Sequence, residues 1–406
     1  MGFVQAISWL CVLAALLTSP AFPEVGNSII VLSMIISVLL VATWPNLRRS
    51  LPPRYVWLAL PAAAALLLVA LAFTTKQPDN LLVLLVLSPI WMSIALAALF
   101  SASPNRIGPT AVATMALGGV LVATGITGYD ALVRGLGRAG ELTLNPIHMG
   151  DLALMLGFVA LVGFFDGRER WRTLFLVGPV LAIVAVYWTG SRGPLVAAVF
   201  LVVLSYLYAL SLMERKPRLI WAAVGCLGAI TVVAIGIYSD ALSQIRGLDH
   251  VWTLLTTGST ENRSLGTRIA MYQGAIEAFG ASPLFGYGSL DFVSVVAQLS
   301  TNSRVNDFDH LHSDLADFAV IGGVLGLACY LLIIATPLVA GLRSAERNRP
   351  AAFYLGLVTT VGYATMGLTN AVLGILVLTS LYGVLLALLL SWSTANKLAP
   401  QFDRHV

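Results

Sequence analysis

Apolar residues run along this chain in long blocks, without the every-other-residue alternation of a strand. Twelve blocks stand out, at roughly 3–20, 27–44, 55–74, 81–100, 108–128, 147–165, 174–190, 194–212, 219–238, 315–338, 351–368 and 372–392. A bilayer core takes about 20 such residues per helix. Lipid offers no partner to a free backbone group, so blocks of this kind close into helices. The pattern predicts an all-α integral membrane protein with about 12 transmembrane helices, built as a single polytopic domain over 1–406.

Two connections are too long to be simple turns. One runs from Tyr129 to Pro146 and the other over 239–314. A loop of the second length normally has function or elements of its own. Within it, Ile269, Tyr272, Ile276 and Phe279 recur at helical spacing, which predicts an amphipathic helix over Arg268–Phe279 lying along the membrane surface. Thr267 is placed to cap its start and Ser282-Pro283 to stop it. No internal repeat or low-complexity tract is visible.

Composition sharpens the class. Charged residues make up 10% of the chain and hydrophobic ones 58%, with a mean hydropathy of +0.88; a soluble domain carries about 25% charged residues. If both termini are cytoplasmic, 15 of the 23 basic residues fall in the inner loops and tail, the bias that orients polytopic proteins. This places the 239–314 loop on the outer face. The net charge of +4 points to no nucleic-acid partner, because the basic residues sit in short loops beside the spans. Cys11, Cys226 and Cys329 each lie inside an apolar block and suggest neither a disulfide framework nor a metal site. The start MGFVQAISWL lacks a basic n-region, so residues 3–20 are expected to stay as the first span.

Candidate chemistry collects at the outer ends of the blocks. Arg192 sits in Thr189-Gly190-Ser191-Arg192-Gly193-Pro194, a tight break between two spans. A guanidinium beside a helix N-terminus makes an anion site suited to phosphate; a snorkelling interfacial arginine is the plain alternative. Arg268 opens the loop helix, where a salt bridge to a neighbouring acid is the simplest reading. The loop as a whole is net acidic, so an anion would be held by a few placed arginines. The densest polar run is Asp307-Phe308-Asp309-His310-Leu311-His312-Ser313-Asp314. It admits three readings: a histidine base oriented by Asp309 or Asp314, a His-x-His metal site, or a solvated turn. His148 and Asp151 lie near the outer end of the sixth span and can line the same cavity or serve structure alone. Gly322, Gly323 and Gly326 read as close helix packing. His250 and His405 have no informative surroundings.

Taken together these motifs resemble a family. Thr189-Gly190-Ser191-Arg192-Gly193-Pro194-Leu195 is similar to the Ser-Arg-Gly signature of the O-antigen ligase family of bacterial polytopic glycosyltransferases. Gly266-Thr267-Arg268 with Ser282-Pro283-Leu284-Phe285-Gly286-Tyr287-Gly288 resembles its second stretch. His312 followed ten residues later by Gly323 resembles its third, and Asn145-Pro146-Ile147 with Gly150-Asp151 is also similar. Ser313 stands where the family often has asparagine. The similarity covers roughly residues 145–330. It implies transfer of a glycan from an undecaprenyl diphosphate carrier, on the periplasmic face of the bacterial inner membrane, to a sugar hydroxyl of lipid A–core. Related polymerases pass it to another carrier-linked glycan. The resemblance further implies that Arg192 and Arg268 hold the diphosphate, that His312 is the base or orienting group and that no metal or other cofactor takes part; from the residues themselves, His310, Asp314, Asp309 and His148 are the candidates for support. A flippase for the same lipid-linked glycan is the rival of another class; it needs charged or broken helices near the midplane, whereas the candidate charges here lie at span ends.

Overall fold

The computed structural model describes residues 2–74, 77–103, 107–166, 170–238, 263–300, 302–344 and 349–393. Among them every regular element is helical. The helices are α1 (Gly2–Leu13), α2 (Pro23–Thr43), α3 (Ala59–Thr74), α4 (Ser88–Ala102), α5 (Pro109–Gly128), α6 (Pro146–Ala160), α7 (Val177–Thr189), α8 (Arg192–Ser211), α9 (Arg215–Tyr238), α10 (Arg263–Ala281), α11 (Phe292–Leu299), α12 (Asp314–Leu342), α13 (Arg349–Gly367) and α14 (Leu376–Ser393), with short turns between several of them.

Helix therefore covers all twelve apolar blocks. Among the described residues seven helices are long and apolar enough to cross a membrane one by one. An eighth arises if the bent pair Pro78–Val86 and Ser88–Ala102 is one span. That pair turns by 45° just before Pro89, which lacks the N–H that would continue the ladder. The segments Gly2–Thr18 and Ala59–Thr74 are apolar but shorter. The protein is a multi-pass membrane protein on these grounds. Residues 239–262 of the predicted outer loop, with His250, and residues 394–406, with His405, lie outside the described residues.

Burial separates the centre of the bundle from its rim. Of the apolar window in α14, 89% is buried, and of that in the helical stretch Pro146–Asp166, 83%; α2 buries only 33% of its own. So α6 and α14 are central. Small residues bring α6 close to α7, where Gly157 and Gly178 meet so tightly that a Cβ on either would lie 2.6 Å from the other's carbonyl oxygen.

The loop helix α10 differs from its sequence reading. It starts at Arg263, five residues early, so Thr267 is inside it, and the Thr267 hydroxyl donates to the Arg263 carbonyl at 2.9 Å. The buried face is Thr267, Ala270, Met271, Gly274, Ala275 and Ala278, while Ile276 is 73% exposed. Small side chains won over large ones because α11 packs directly on this face: a Cβ on Gly274 would lie 2.7 Å from the Val296 carbonyl oxygen.

Helix α12 is broken. Gly323 has φ 59° and ψ −143°, a conformation open essentially only to glycine. At the break the Ser282–Gly288 stretch docks backbone to backbone. Tyr287 N–H donates to Val320 O (2.9 Å), Gly288 N–H to Ile321 O (2.9 Å) and Val324 N–H to Pro283 O (2.7 Å). Phe285 stacks on Phe73 of α3, 4.5 Å between ring centres, and Asn80 holds Leu290 N–H at 2.9 Å. The loop that follows α10 is thereby pinned to the membrane bundle, which fixes where α10 points its own side chains. Gly323 is thus a docking point, beyond the close packing read from the sequence.

Candidate active site

One end of the bundle gathers side chains from four separate stretches. The first is the elbow between α7 and α8. Gly190 closes α7 in the left-handed conformation (φ 63°). Ser191 stands at the N-cap position of α8 without a side-chain cap bond, and Pro194 falls in the first turn, where a missing N–H leaves no hydrogen bond unmade. Two close approaches lock the elbow. A Cβ on Gly150 of α6 would sit 3.0 Å from the Pro194 ring, and a Cβ on Gly193 would sit 2.6 Å from the Thr369 hydroxyl. Arg192 projects from this elbow with its side chain exposed.

The second stretch is α10, which brings Arg268 and, one turn on, Tyr272. The Tyr272 hydroxyl lies 3.2 Å from the His312 carbonyl and 3.3 Å from that of Leu368, able to donate to either. Arg192 and Arg138 stand near enough to Arg268 for their charges to repel its own. Burial first, and these two cations next, lower the Arg268 pKa from its ordinary value, while Tyr272 opposes them. Arg138 comes from the 129–146 connection. Asp130 organises that segment by accepting from Gly140 N–H (2.8 Å) and pairing with Arg134 (2.7 Å), and Ala139 N–H donates to Trp188 O at 3.1 Å. Among the described residues no carboxylate forms an ion pair with Arg138, Arg192 or Arg268.

The third stretch is the histidine run ahead of α12. His312 has φ 54°, a left-handed conformation rare outside glycine. Such strain persists only where the surroundings over-determine it. Here the Tyr272 hydroxyl meets its carbonyl, and Leu311 N–H before it donates to the buried Asp317 carboxylate at 2.8 Å. The His310 and His312 rings lie edge to face, 4.5 Å apart, and Phe308 closes the other side of His312 at 5.1 Å. Burial pushes the His312 pKa down to about 4, with the positive charges of His310 and Arg268 adding to it. Burial also lowers that of His310, which the neighbouring Asp309 partly opposes. Both imidazoles are neutral at pH 7 on this account. His148, from the first turn of α6, is the third histidine here and acts electrostatically on His312.

The fourth stretch, the connection between α13 and α14, was not suspected from the sequence. Asn370 is 1% exposed and its amide donates to Asp151 Oδ2 at 3.0 Å. Its side chain also faces the His312 imidazole. Asp314 is a correction in kind. It does not orient a histidine; its carboxylate accepts from Val372 N–H (2.9 Å) and Leu373 N–H (3.2 Å), so it ties this connection to the start of α12. Asp309 is exposed beside His310. No three His, Cys, Asp or Glu side chains among the described residues form a metal-holding group. The sequence reading does not single out Arg138 or Asn370, and it names Tyr272 only as part of the loop helix's apolar face, because each acts through a contact that local sequence does not encode.

Residues 175–331 match the family model described as O-Antigen ligase. Over this stretch the chain is similar to the O-antigen ligase family. The matched stretch contains Arg192, Arg268, His310 and His312, and the flanking chain supplies Arg138, His148, Asp151 and Asn370 to the same place. A Haemophilus influenzae protein described only as uncharacterized is 27% identical over 240 residues, covering 53% of this chain and 57% of that relative. The chain thus spans little more than half the length of the curated relative it matches.

Proposed function

We propose that the protein transfers a glycan from undecaprenyl diphosphate to a sugar hydroxyl of lipid A–core, at the periplasmic face of the bacterial inner membrane with both termini cytoplasmic. One observation carries the reading: three arginines that form no ion pair among the described residues stand beside neutral histidines at a single end of the bundle. Cations held together against their own repulsion suit a polyanionic ligand, and a guanidinium suits the paired oxygens of a phosphate.

The chemistry follows from those groups. The acceptor hydroxyl oxygen attacks the anomeric carbon while the bond from that carbon to the diphosphate oxygen breaks. The hydroxyl proton passes to His312, and the electron pair of the broken bond stays on the diphosphate. Arg192, Arg268 and Arg138 stabilise the charge that develops there. His312 supplies general-base catalysis, His310 shields it, and His148 stands beside the acceptor. Direct displacement with one base and no carboxylate nucleophile inverts the anomeric centre. The carrier's isoprenoid tail stays in the bilayer.

The test is a transfer assay with purified protein, undecaprenyl diphosphate-linked glycan and lipid A–core, in chelator, with products separated by gel. Lipid A–core shifted to a glycan-bearing product supports the ligase. Donor lengthening into a ladder with lipid A–core untouched replaces it with a polymerase, and no change in either component refutes glycosyl transfer and returns the flippase.

A further inference from the structure

Behind the histidine lies a second layer that the reaction above does not use. Asp151, on α6, is fully buried, and Asn370 is 1% exposed. They are 219 residues apart in sequence and joined by the 3.0 Å bond from the Asn370 amide to Asp151 Oδ2. The Asn370 side chain lies against the His312 imidazole in the sense that favours an N–H on the ring. Three buried polar atoms here have no completed hydrogen bond: His312 Nδ1, Asn370 Oδ1 and Asp151 Oδ1. The first two are complementary, one a potential N–H donor and the other a carbonyl acceptor. Leaving both unpaired in a buried place forfeits the hydration of each without a bond in return.

The surrounding fold is arranged to hold this line. Gly193 is placed where a side chain would collide with Thr369, the neighbour of Asn370. Asp314 clamps the backbone two and three residues further on. Asp151 stands one turn from His148 on α6, one of the two central helices of the bundle. Asn370 is thus fixed from three sides.

We infer that Asn370 and Asp151 form a positioning pair for His312: His312 Nδ1–H donates to Asn370 Oδ1, the Asn370 amide donates to Asp151 Oδ2, and Nε2 is left free to receive the acceptor proton. The carboxylate fixes which way the amide points, and the amide fixes the tautomer of the ring. An imidazole held this way has its lone pair on a defined atom. Neither residue touches substrate; both act through His312. The inference rests on His312 being the base, but its first test does not require activity.

The chain has five histidines, few enough for nitrogen NMR of the full-length protein in detergent with ¹⁵N-histidine, assigned by single His→Gln variants. The expected spectrum at pH 7 has His312 as a neutral ring protonated on Nδ1. In Asn370→Ala that preference is lost, and in Asp151→Asn it weakens, while His310 is unchanged. A wild-type His312 protonated on Nε2 overturns the proposal. The second test is kinetic, in whichever transfer assay the wild type satisfies. Asn370→Ala lowers kcat by about 10–100-fold, as loss of a partner that orients a functional histidine does, with the donor KM little changed. The double variant His312→Ala/Asn370→Ala is no slower than His312→Ala. A double variant slower than His312→Ala by the full factor of Asn370→Ala would mean Asn370 acts independently, and would overturn the pair. Absence of transfer by the wild type removes the proposed function and leaves the tautomer result to stand or fall alone.

Discussion

Replacing Gly323 by alanine tests how the site is supported. The residue has φ 59° and ψ −143°, and a Cβ there would lie 2.5 Å from the Leu284 carbonyl carbon. Keeping the wild-type path forces an L-residue into that region, at about 1–3 kcal/mol before the clash is counted. The clash is with backbone, so no side chain can swing aside. The alternative is to undock the Ser282–Gly288 stretch and give up three backbone hydrogen bonds, each worth about 0.5–1.5 kcal/mol. Either route costs about 3 kcal/mol, and the variant takes the cheaper. At about 1.4 kcal/mol per factor of ten, the undocked population rises on the order of 100-fold. Hydrogen exchange with mass spectrometry reads this directly, since the amides of Tyr287, Gly288 and Val324 lose protection together. Gly280→Ala is the control, because nothing lies within 4 Å of a Cβ at that position. Exchange of those three amides within a few-fold of wild type in Gly323→Ala would refute the docking argument.

Other perturbations probe the charges. Arg268→Ala and Arg192→Ala are expected to reduce transfer by at least 100-fold in the gel assay while the protein still reaches the membrane, because each removes a charged hydrogen-bond donor from the diphosphate. His312→Ala is expected to lose more activity than His310→Ala; the reverse order moves the base to His310. With His312 held down to about 4, its neutral, base-competent form survives acidification that would protonate an ordinary histidine of pKa about 6.5. The kcat/KM profile should therefore stay flat from pH 7 to 5 and fall only near pH 4. Arg268→Ala removes a positive neighbour, so the His312 titration followed by NMR should move upward; a downward move contradicts the electrostatics.

Much of this was legible before the structure, for physical reasons that differ by feature. Apolar blocks encode helices because lipid leaves them no other form, and all twelve lie under helix. The Gly190–Pro194 elbow was readable because glycine and proline restrict the backbone locally. The buried face of α10 was not, because small residues at Gly274 and Ala278 mark contact only once α11 is known to sit there. Asp314 was misjudged for a related reason. A carboxylate two residues from a histidine invites a catalytic role, yet its partners are amides 58 and 59 residues away. Asn370 and Asp151 meet only through the tertiary fold.

The arginine cluster has a consequence for turnover. Among the described residues Arg138, Arg192 and Arg268 have no ion-pair partner, so an anion that occupies the site relieves their mutual repulsion. In the proposed reaction the donor diphosphate is esterified at both ends, and the product that leaves is esterified at one. The spent carrier thus bears more negative charge than the donor and draws more from the same cations. Such a site grips its own by-product harder than its substrate, so release of the carrier, ahead of bond breaking, would set the pace, and undecaprenyl diphosphate would accumulate as a competitive inhibitor unless something in the membrane removes it.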